Sequence, residues 1–264
     1  MIDNEQKLRP DPAEAYHRNG FAVLRAFDEK QVHVLEQFSK DWLYTLLEEW
    51  TKNRRADFPL EYYHLWSKEF RLDHARIFRA ENRHTNPGLK IKDLLLNPLV
   101  RNFLEEIGVD RYEIWNQGLG WLGFRFLRPG AGDGYSFSRK AWGPAKEVVS
   151  CWIPIIGHDP EHTLTILPGS HRREYEKYLP TQGKFAKDEY RLKERPPESE
   201  CYHPGLERGE VIWYHPGTIH SEDIPRGSHT RLSLEFRIHP LQFSIRSTRR
   251  DKPALSHPGG PDGA

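Results

Sequence analysis

Apolar residues recur every third or fourth position in the first part of the chain, which is the spacing of amphipathic helices. After Asp28, which can cap a helix, the apolar stripe consists of Leu35, Phe38, Trp42 and Leu46. Residues 91–107 repeat this spacing, and Asn97-Pro98 marks a break or a new helix start within them. A short helix that begins at Pro12 and a strand over residues 20–25 come before both.

From Tyr112 onward the apolar period shortens to two, which is typical of β-strands. The predicted strands are short, separated by Gly and Pro, and cover Tyr112–Asn116, Trp121–Leu127, Val148–Ile155, Leu164–Leu167, Val211–Tyr214 and Leu232–Ile238. This pattern predicts a mainly β protein of the α+β class, a barrel or jelly roll with the N-terminal helices packed outside it. Residues 53–90 are rich in charged and aromatic side chains and give no firm prediction.

The last predicted strand alternates most regularly. Its apolar face consists of Leu232, Leu234, Phe236 and Ile238, and its polar face of Arg231, Ser233, Glu235 and Arg237. Because the apolar face packs on a core, the polar face must meet solvent or an anionic ligand. A buried Arg231 then needs an internal acid such as Glu235, or a bound anion, as its counter-ion. His220 lies eleven residues before Arg231, just after the preceding strand.

Composition excludes several classes of partner. The 264 residues carry 39 Lys and Arg against 38 Asp and Glu, so no strong field favours nucleic acid or a membrane surface. No apolar run approaches the roughly 20 residues of a membrane span, and the N-terminus does not resemble a signal peptide. Two cysteines, Cys151 and Cys201, lack metal or redox spacing and suit a reducing compartment. We therefore expect a cytoplasmic protein, and the sequence leaves its oligomeric state open.

The chain is expected to form a single domain over residues 1–264. Its core spans about residues 14–243. The stretch 172–208, dense in Lys and Glu, is expected to be a long mobile, lid-like insertion. Residues 244–264 are basic and rich in Pro and Gly, which predicts a disordered tail.

Several of these segments together resemble the phytanoyl-CoA dioxygenase family. The resemblance rests on the ordered set Arg18–Leu24, Asn97–Gly108, Val148–Ile155, Leu164–His171 and Gly209–Arg231, and it extends over roughly residues 14 to 240. The third and fourth segments read Val-Val-Ser-Cys-Trp-Ile-Pro-Ile and Leu-Thr-Ile-Leu-Pro-Gly-Ser-His. The resemblance implies a double-stranded β-helix, a cupin-like jelly roll, and the chemistry of iron(II)/2-oxoglutarate oxygenases.

The family binds iron with two His and one carboxylate and holds 2-oxoglutarate with an arginine. By position, His220 matches the distal His and Arg231 matches the arginine. The early His-x-Asp pair is missing, and Ser138-Arg139-Lys140 stands where the resemblance places it. Serine is a poor iron ligand and protonated lysine has no lone pair to donate. Asp133 is the nearest spare carboxylate.

Three hypotheses follow. In the first, the protein has lost iron and binds or transforms a small anionic ligand, for which sugar- or nucleotide-linked molecules are candidates. The cofactor is then 2-oxoglutarate or none, and the ligand would meet Ser138, Lys140, Arg231, Arg125 and Ser233. In the second, a working iron(II)/2-oxoglutarate hydroxylase uses His220, Asp133 and a third ligand. In the third, a non-catalytic interaction protein keeps a vestigial pocket, so the sequence does not decide whether the protein is an enzyme.

We assign no ligand-binding role to two other histidines and to one glycine-rich segment. His171 and His215 stand beside Gly and Pro turns, and we expect them to support those turns. The spacing Gly118-x-Gly120-x-x-Gly123 matches a dinucleotide fingerprint, but it leads into a predicted strand rather than a helix. We therefore assign no nucleotide site to it.

Overall fold

The computed structural model describes the chain in ten stretches. These are residues 11–51, 59–69, 71–78, 83–116, 120–129, 137–143, 146–157, 164–179, 190–222 and 228–242. Three groups of predictions lie outside them: the metal role of Asp133, the conformation of the tail 244–264, and part of the insertion at residues 180–189.

Six helices occur in the N-terminal half of the described chain. They are α1 (Pro12–Asn19), α2 (Glu29–Thr51), α3 (Tyr63–Glu69), α4 (His74–Ile77), α5 (Leu89–Leu95) and α6 (Pro98–Glu106). The predicted helix starts at Pro12 and at Asn97-Pro98 are confirmed: Asp11 accepts hydrogen bonds from the first turn of α1, and Asn97 does so for α6. At α2, Asp28 and Gln31 satisfy each other's backbone N–H groups in a capping box.

Helices α3 and α4 lie within residues 53–90, for which no firm prediction was made. Tyr63 packs edge-on against Phe126 with ring centroids 5.0 Å apart, and Phe78 stacks on the same ring at 5.1 Å. These contacts join the two short helices to a distant strand. Their stability therefore depends on tertiary packing rather than on local helical spacing.

The described chain contains eleven strands, of which β1 and β2 lie between the helices and the other nine follow α6. They are β1 (Phe21–Arg25), β2 (His84–Thr85), β3 (Arg111–Ile114), β4 (Leu122–Leu127), β5 (Val149–Ile156), β6 (Leu164–Ile166), β7 (Lys177–Tyr178), β8 (Arg191–Leu192), β9 (Glu210–Tyr214), β10 (His220–Glu222) and β11 (Arg231–Gln242). The predicted strands are present, and β11 continues four residues beyond its predicted end.

A seven-stranded antiparallel sheet dominates the fold, in the order β1-β9-β5-β11-β4-β2, with β3 also paired to β11. Strand β11 pairs with β5 along one edge and with β4 and then β3 along the other. A smaller sheet of β6 and β10 is extended by isolated bridges at Ser138 and Tyr202. The strand pattern is that of the expected jelly roll.

The main core lies between the helices and the outer face of the large sheet. Trp42 of α2 stacks on Phe124 of β4 at 3.6 Å, and Phe103 of α6 packs against Trp213 of β9 at 5.8 Å. A second apolar cluster lies between the sheets and contains Phe21, Trp152, Leu164, Ile166, Leu206, Ile212 and Tyr214. The N-terminal helices therefore pack outside the β-structure, as predicted, and the polar face of β11 points into its interior.

The insertion 172–208 has regular structure in its described parts. Strands β7 and β8 form a two-stranded antiparallel pair, and Tyr202 bridges to Ile166 at the edge of the small sheet. Its expected role as a lid stays a prediction. Among the described helices, none combines the length and the apolar character needed to cross a membrane.

Candidate functional site

His220 begins β10 and faces the interior between the two sheets. Its ring Nδ1 lies 2.9 Å from the carbonyl oxygen of Thr218. Since a carbonyl only accepts, Nδ1 carries the proton and donates, which leaves the lone pair of a neutral ring on Nε2. The histidine is 8% exposed, and the Tyr214 ring packs 4.5 Å from it.

The surroundings of His220 keep its ring neutral. Burial, followed by the positive charge of Lys140, lowers the pKa of His220 to about 4. At neutral pH the ring therefore holds an unprotonated Nε2. Such a nitrogen can accept a hydrogen bond or a proton, or can ligate a metal.

Ser138 lies directly beside His220. Their backbones form a two-way bridge, with N–H to oxygen distances of 3.1 and 3.0 Å. Backbone pairing therefore places Ser138 next to His220. Two residues after Ser138, Lys140 begins a 3-10 helix over Lys140–Trp142.

The Lys140 ammonium points at Glu235, from which it is separated by 3.6 Å. The same carboxylate accepts two hydrogen bonds from Arg125, at 2.9 and 2.8 Å, and two from Arg237, at 3.0 and 2.8 Å. Strands β4 and β11 and the 3-10 turn therefore bring three cationic side chains to one acid. We call Arg125, Lys140, Glu235 and Arg237 the interior charge cluster.

Glu235 is ionised in this cluster although it is only 6% exposed. Burial alone would raise the pKa of Glu235, but the charges of Lys140, Arg125 and Arg237 outweigh it and hold that pKa well below its usual range. The carboxylate is therefore a fixed negative charge at neutral pH. It anchors the three cations inside the barrel.

Arg231 lies at the beginning of β11, opposite Leu127 of β4, and is 4% exposed. Ser233 follows on the same face and pairs with Arg125. Glu235 comes four residues after Arg231, roughly 13 Å along an extended strand. The sequence predicted either an internal acid such as Glu235 or a bound anion as the counter-ion of Arg231. The ion pairs of Glu235 are made with Arg125, Lys140 and Arg237.

The backbone around Arg231 is fixed from two sides. The N–H of Thr230 donates to the carbonyl oxygen of Glu61 at 2.6 Å, which ties this end of β11 to the segment before α3. Gly157, with φ of +64°, lies so close that a Cβ would collide with the Thr230 carbonyl oxygen. The start of β11 is thus held in one place.

Within the part of the chain that the structure describes, the residues around His220 do not supply the donor set of a ferrous site. The facial triad needs two His and one carboxylate, whereas Ser138 and Lys140 stand at two of the three expected positions. Within the described stretches, no three His, Cys, Asp or Glu side chains are grouped so that they could hold a metal ion. Asp133, the alternative ligand, lies outside those stretches.

Sequence reasoning missed two members of the interior charge cluster as site residues, Glu235 and Arg237. Their position on the polar face of β11 was visible in the alternation that also marked Arg231 and Ser233. What the sequence did not contain was their distance from Lys140 and Arg125, which is set by strand register. His171 and His215 support a turn, as expected: Nδ1 of His215 accepts the Gly217 N–H at 3.0 Å.

Structural comparison finds non-heme oxygenases with this fold. SnoK, an α-ketoglutarate-dependent carbocyclase from nogalamycin biosynthesis, gives a TM-score of 0.54 at 13% identity, covering 90% of this chain and 86% of SnoK. The epimerase SnoN, solved with Fe3+, α-ketoglutarate and nogalamycin RO, gives 0.53 at 15% identity, covering 96% and 93%. EctD from S. alaskensis with bound Fe gives 0.54 at 14% identity, covering 90% and 76%. At these identities the likeness establishes the fold.

Sequence comparison gives the family. A search of curated proteins found no significant match. The family described as Phytanoyl-CoA dioxygenase (PhyH) matches residues 16–231, which is well over half of the 264 residues. That span includes β1, β5, β9, His220 and the start of β11, whereas Glu235 and Arg237 lie beyond it. The chain therefore belongs to the phytanoyl-CoA dioxygenase family.

Proposed function

We propose that this protein binds a small anionic molecule in the interior of the β-helix without iron. The observation that carries the proposal is the position of Lys140. It stands where the family resemblance places an acidic iron ligand, and its ammonium faces Glu235 at 3.6 Å, alongside Arg125 and Arg237. The interior charge cluster thus contains three cations and one acid.

Electrostatics favours an anion over a divalent metal in these surroundings. A unit positive charge held roughly 4 Å from a divalent cation opposes it by about 8 kcal/mol at an effective dielectric constant of 20. His220 supplies a neutral nitrogen, which does not offset that repulsion. An anion beside Lys140 interacts favourably with the same charges.

The cations lie at two levels along β11, which suggests an elongated or doubly charged ligand. Arg231 forms one level, and the interior charge cluster, with Ser233 opposite Arg125, forms the other. A guanidinium binds a carboxylate or phosphate through two parallel hydrogen bonds. His220 would accept a hydrogen bond from the ligand, or a proton if the ligand is transformed.

Thermal shifts with 2-oxoglutarate, citrate, phosphate and sugar nucleotides test the proposal. At least one anion should stabilise the wild type, by about 2.7 kcal/mol at a hundredfold excess over Kd. The response should be lost in Arg231→Ala and in Lys140→Ala. The response should persist in Arg25→Ala and Lys30→Ala. These control variants remove exposed cations that do not belong to the interior charge cluster.

Two results would contradict the proposal. One is the absence of any anion response in the wild type, which would favour an interaction protein with a vestigial pocket. The other is a full response in both interior variants. 2-Oxoglutarate is the first probe because the SnoN structure contains α-ketoglutarate in a protein of the same fold.

One observation favours a second candidate, an iron(II)/2-oxoglutarate-dependent hydroxylase. The Nδ1–H to Thr218 bond presents Nε2 of His220 to the interior, as a metal-ligating imidazole requires. This candidate needs Asp133 and a further ligand beside His220, against the charge of Lys140. Direct measurement of iron binding separates the two candidates.

A further inference from the structure

Arg139 lies between Ser138 and Lys140 but points the opposite way, toward the insertion 172–208. Its Nη1 donates to the carbonyl oxygen of Arg173 at 3.0 Å, and its Nη2 donates to the Glu174 carboxylate at 3.3 Å. The guanidinium also lies 4.9 Å over the Trp142 ring. The Arg139 side chain is 8% exposed, whereas Glu174 is 97% exposed. A buried arginine thus reaches outward to hold the start of the insertion.

A second set of contacts joins the insertion to the same segment. The N–H of Leu192 in β8 donates to the carbonyl oxygen of Phe137 at 2.8 Å. Within the insertion, the N–H of Lys193 donates to the carbonyl oxygen of Glu176 at 3.0 Å. An apolar cluster lies beneath, formed by Phe137, Trp142, Leu167 and Ile219, with Tyr175, Leu192 and Cys201 packed against it. The insertion therefore covers residues 137–142 through backbone, ionic and apolar contacts.

The contact with the insertion and the contact with the interior charge cluster come from neighbouring residues of one stretch of backbone. Arg139 directs its guanidinium to Arg173, and the next residue, Lys140, directs its ammonium to Glu235. Lys140 opens the 3-10 turn, in which the Ala141 N–H donates to the Pro216 carbonyl oxygen at 2.8 Å. Arg139 is the residue directly before this 3-10 turn, so its contacts with the insertion hold the backbone from which Lys140 extends.

We propose that Arg139 is a positioning residue that couples docking of the described parts of the insertion, residues 172–179 and 190–208, to the placement of the Lys140 charge. Binding of an anion beside Lys140 and docking of the insertion then favour each other, since coupling between two sites is reciprocal. The inference rests on the proposed anion site and adds its regulation. Lysine cannot replace Arg139, because it lacks the planar fork that serves Arg173, Glu174 and the Trp142 ring together.

Isothermal titration of 2-oxoglutarate, phosphate and citrate into three variants tests the coupling. For the anion that binds the wild type, Arg139→Ala and Arg139→Lys should each raise the Kd on the order of tenfold, as is typical of coupled sites. Glu174→Gln removes only the exposed partner and should stay within about threefold, since surface ion pairs contribute little. Wild-type affinity in both Arg139 variants would overturn the inference.

Hydrogen exchange gives a readout that a merely structural role would not change. The anion should slow exchange of the Leu192 and Lys193 amides in the wild type and should not do so in Arg139→Ala. If Arg139→Ala does not fold, the wild-type experiment alone decides, and unchanged exchange at Leu192 on anion binding overturns the coupling. A wild type that binds none of the three anions and shows no thermal shift with sugar nucleotides refutes the proposed function itself, whereas binding without coupling refutes only this inference.

Discussion

Glu235 is the residue at which the interior charges of the barrel meet. Each carboxylate oxygen has an arginine partner: Oε1 accepts from Arg237 and Oε2 from Arg125. Lys140 adds a third positive charge at 3.6 Å from Oε1. A single neutral substitution at Glu235 would therefore leave three cations together in a largely buried space.

We expect Glu235→Gln to lower the free energy of unfolding by about 3–5 kcal/mol, because breaking a buried ion pair leaves uncompensated charge. Urea denaturation followed by circular dichroism measures this. Glu207→Gln is the matched control, since Glu207 pairs with Arg25 at 3.0 Å on the surface, where a pair is worth about 1 kcal/mol or less. Equal effects of the two substitutions would show that the cluster does not depend on Glu235.

Residue identities predicted part of this site. The absence of a His-x-Asp pair and the presence of Lys140, His220 and Arg231 could be read directly from the sequence. The pairing of Glu235 with Arg125 and Lys140 could not. It joins β11, β4 and the turn after Ser138, and their relative register is a property of the folded sheets.

At the scale of elements, the turn between β9 and β10 positions His220. His215 anchors this turn by accepting the Gly217 N–H, and the His171 ring packs 5.3 Å from it. Thr218 donates its hydroxyl to the carbonyl oxygen of Gly20 at 2.6 Å, which fastens the turn to the end of α1. Two histidines thus support the element that carries the site.

We expect the free energy of unfolding to fall in mild acid because of His215 in this turn. Burial, and then the charges of His171, His17 and Arg139, lower the pKa of His215 to about 4. Below the unfolded histidine pKa of about 6.5 the unfolded chain binds a proton that the native turn does not, so stability is lost as pH falls from 6.5 toward 4. At pH 5 this costs about 1 to 2 kcal/mol for a partly buried histidine.

His215→Asn tests this prediction, because the asparagine oxygen can still accept the Gly217 N–H. The loss of unfolding free energy between pH 7.5 and pH 5, measured by urea denaturation, should shrink by about 1 to 2 kcal/mol in the variant. His33→Asn, at a side chain 76% exposed on α2, serves as the control. An unchanged pH dependence in His215→Asn would rule out the turn as its source.

At the scale of the whole molecule, the large sheet separates two environments. Its outer face packs against α2 and α6 through aromatic rings, and its inner face carries Arg231, Ser233, Glu235 and Arg237. Period-two alternation predicted both faces, and it also located β5 within one residue of its observed bounds. Helix α3 was not predicted, because its Tyr63 is buried against Phe126 of a strand that is distant in the sequence.

The central claim is that a phytanoyl-CoA dioxygenase family fold here houses an anion site in place of iron. Anaerobic titration of the purified protein with iron(II), with and without 2-oxoglutarate, tests it most directly. We expect no saturable one-to-one binding, because Lys140 and the two arginines oppose a divalent cation beside His220. Tight stoichiometric binding of iron that disappears in His220→Ala would contradict the account.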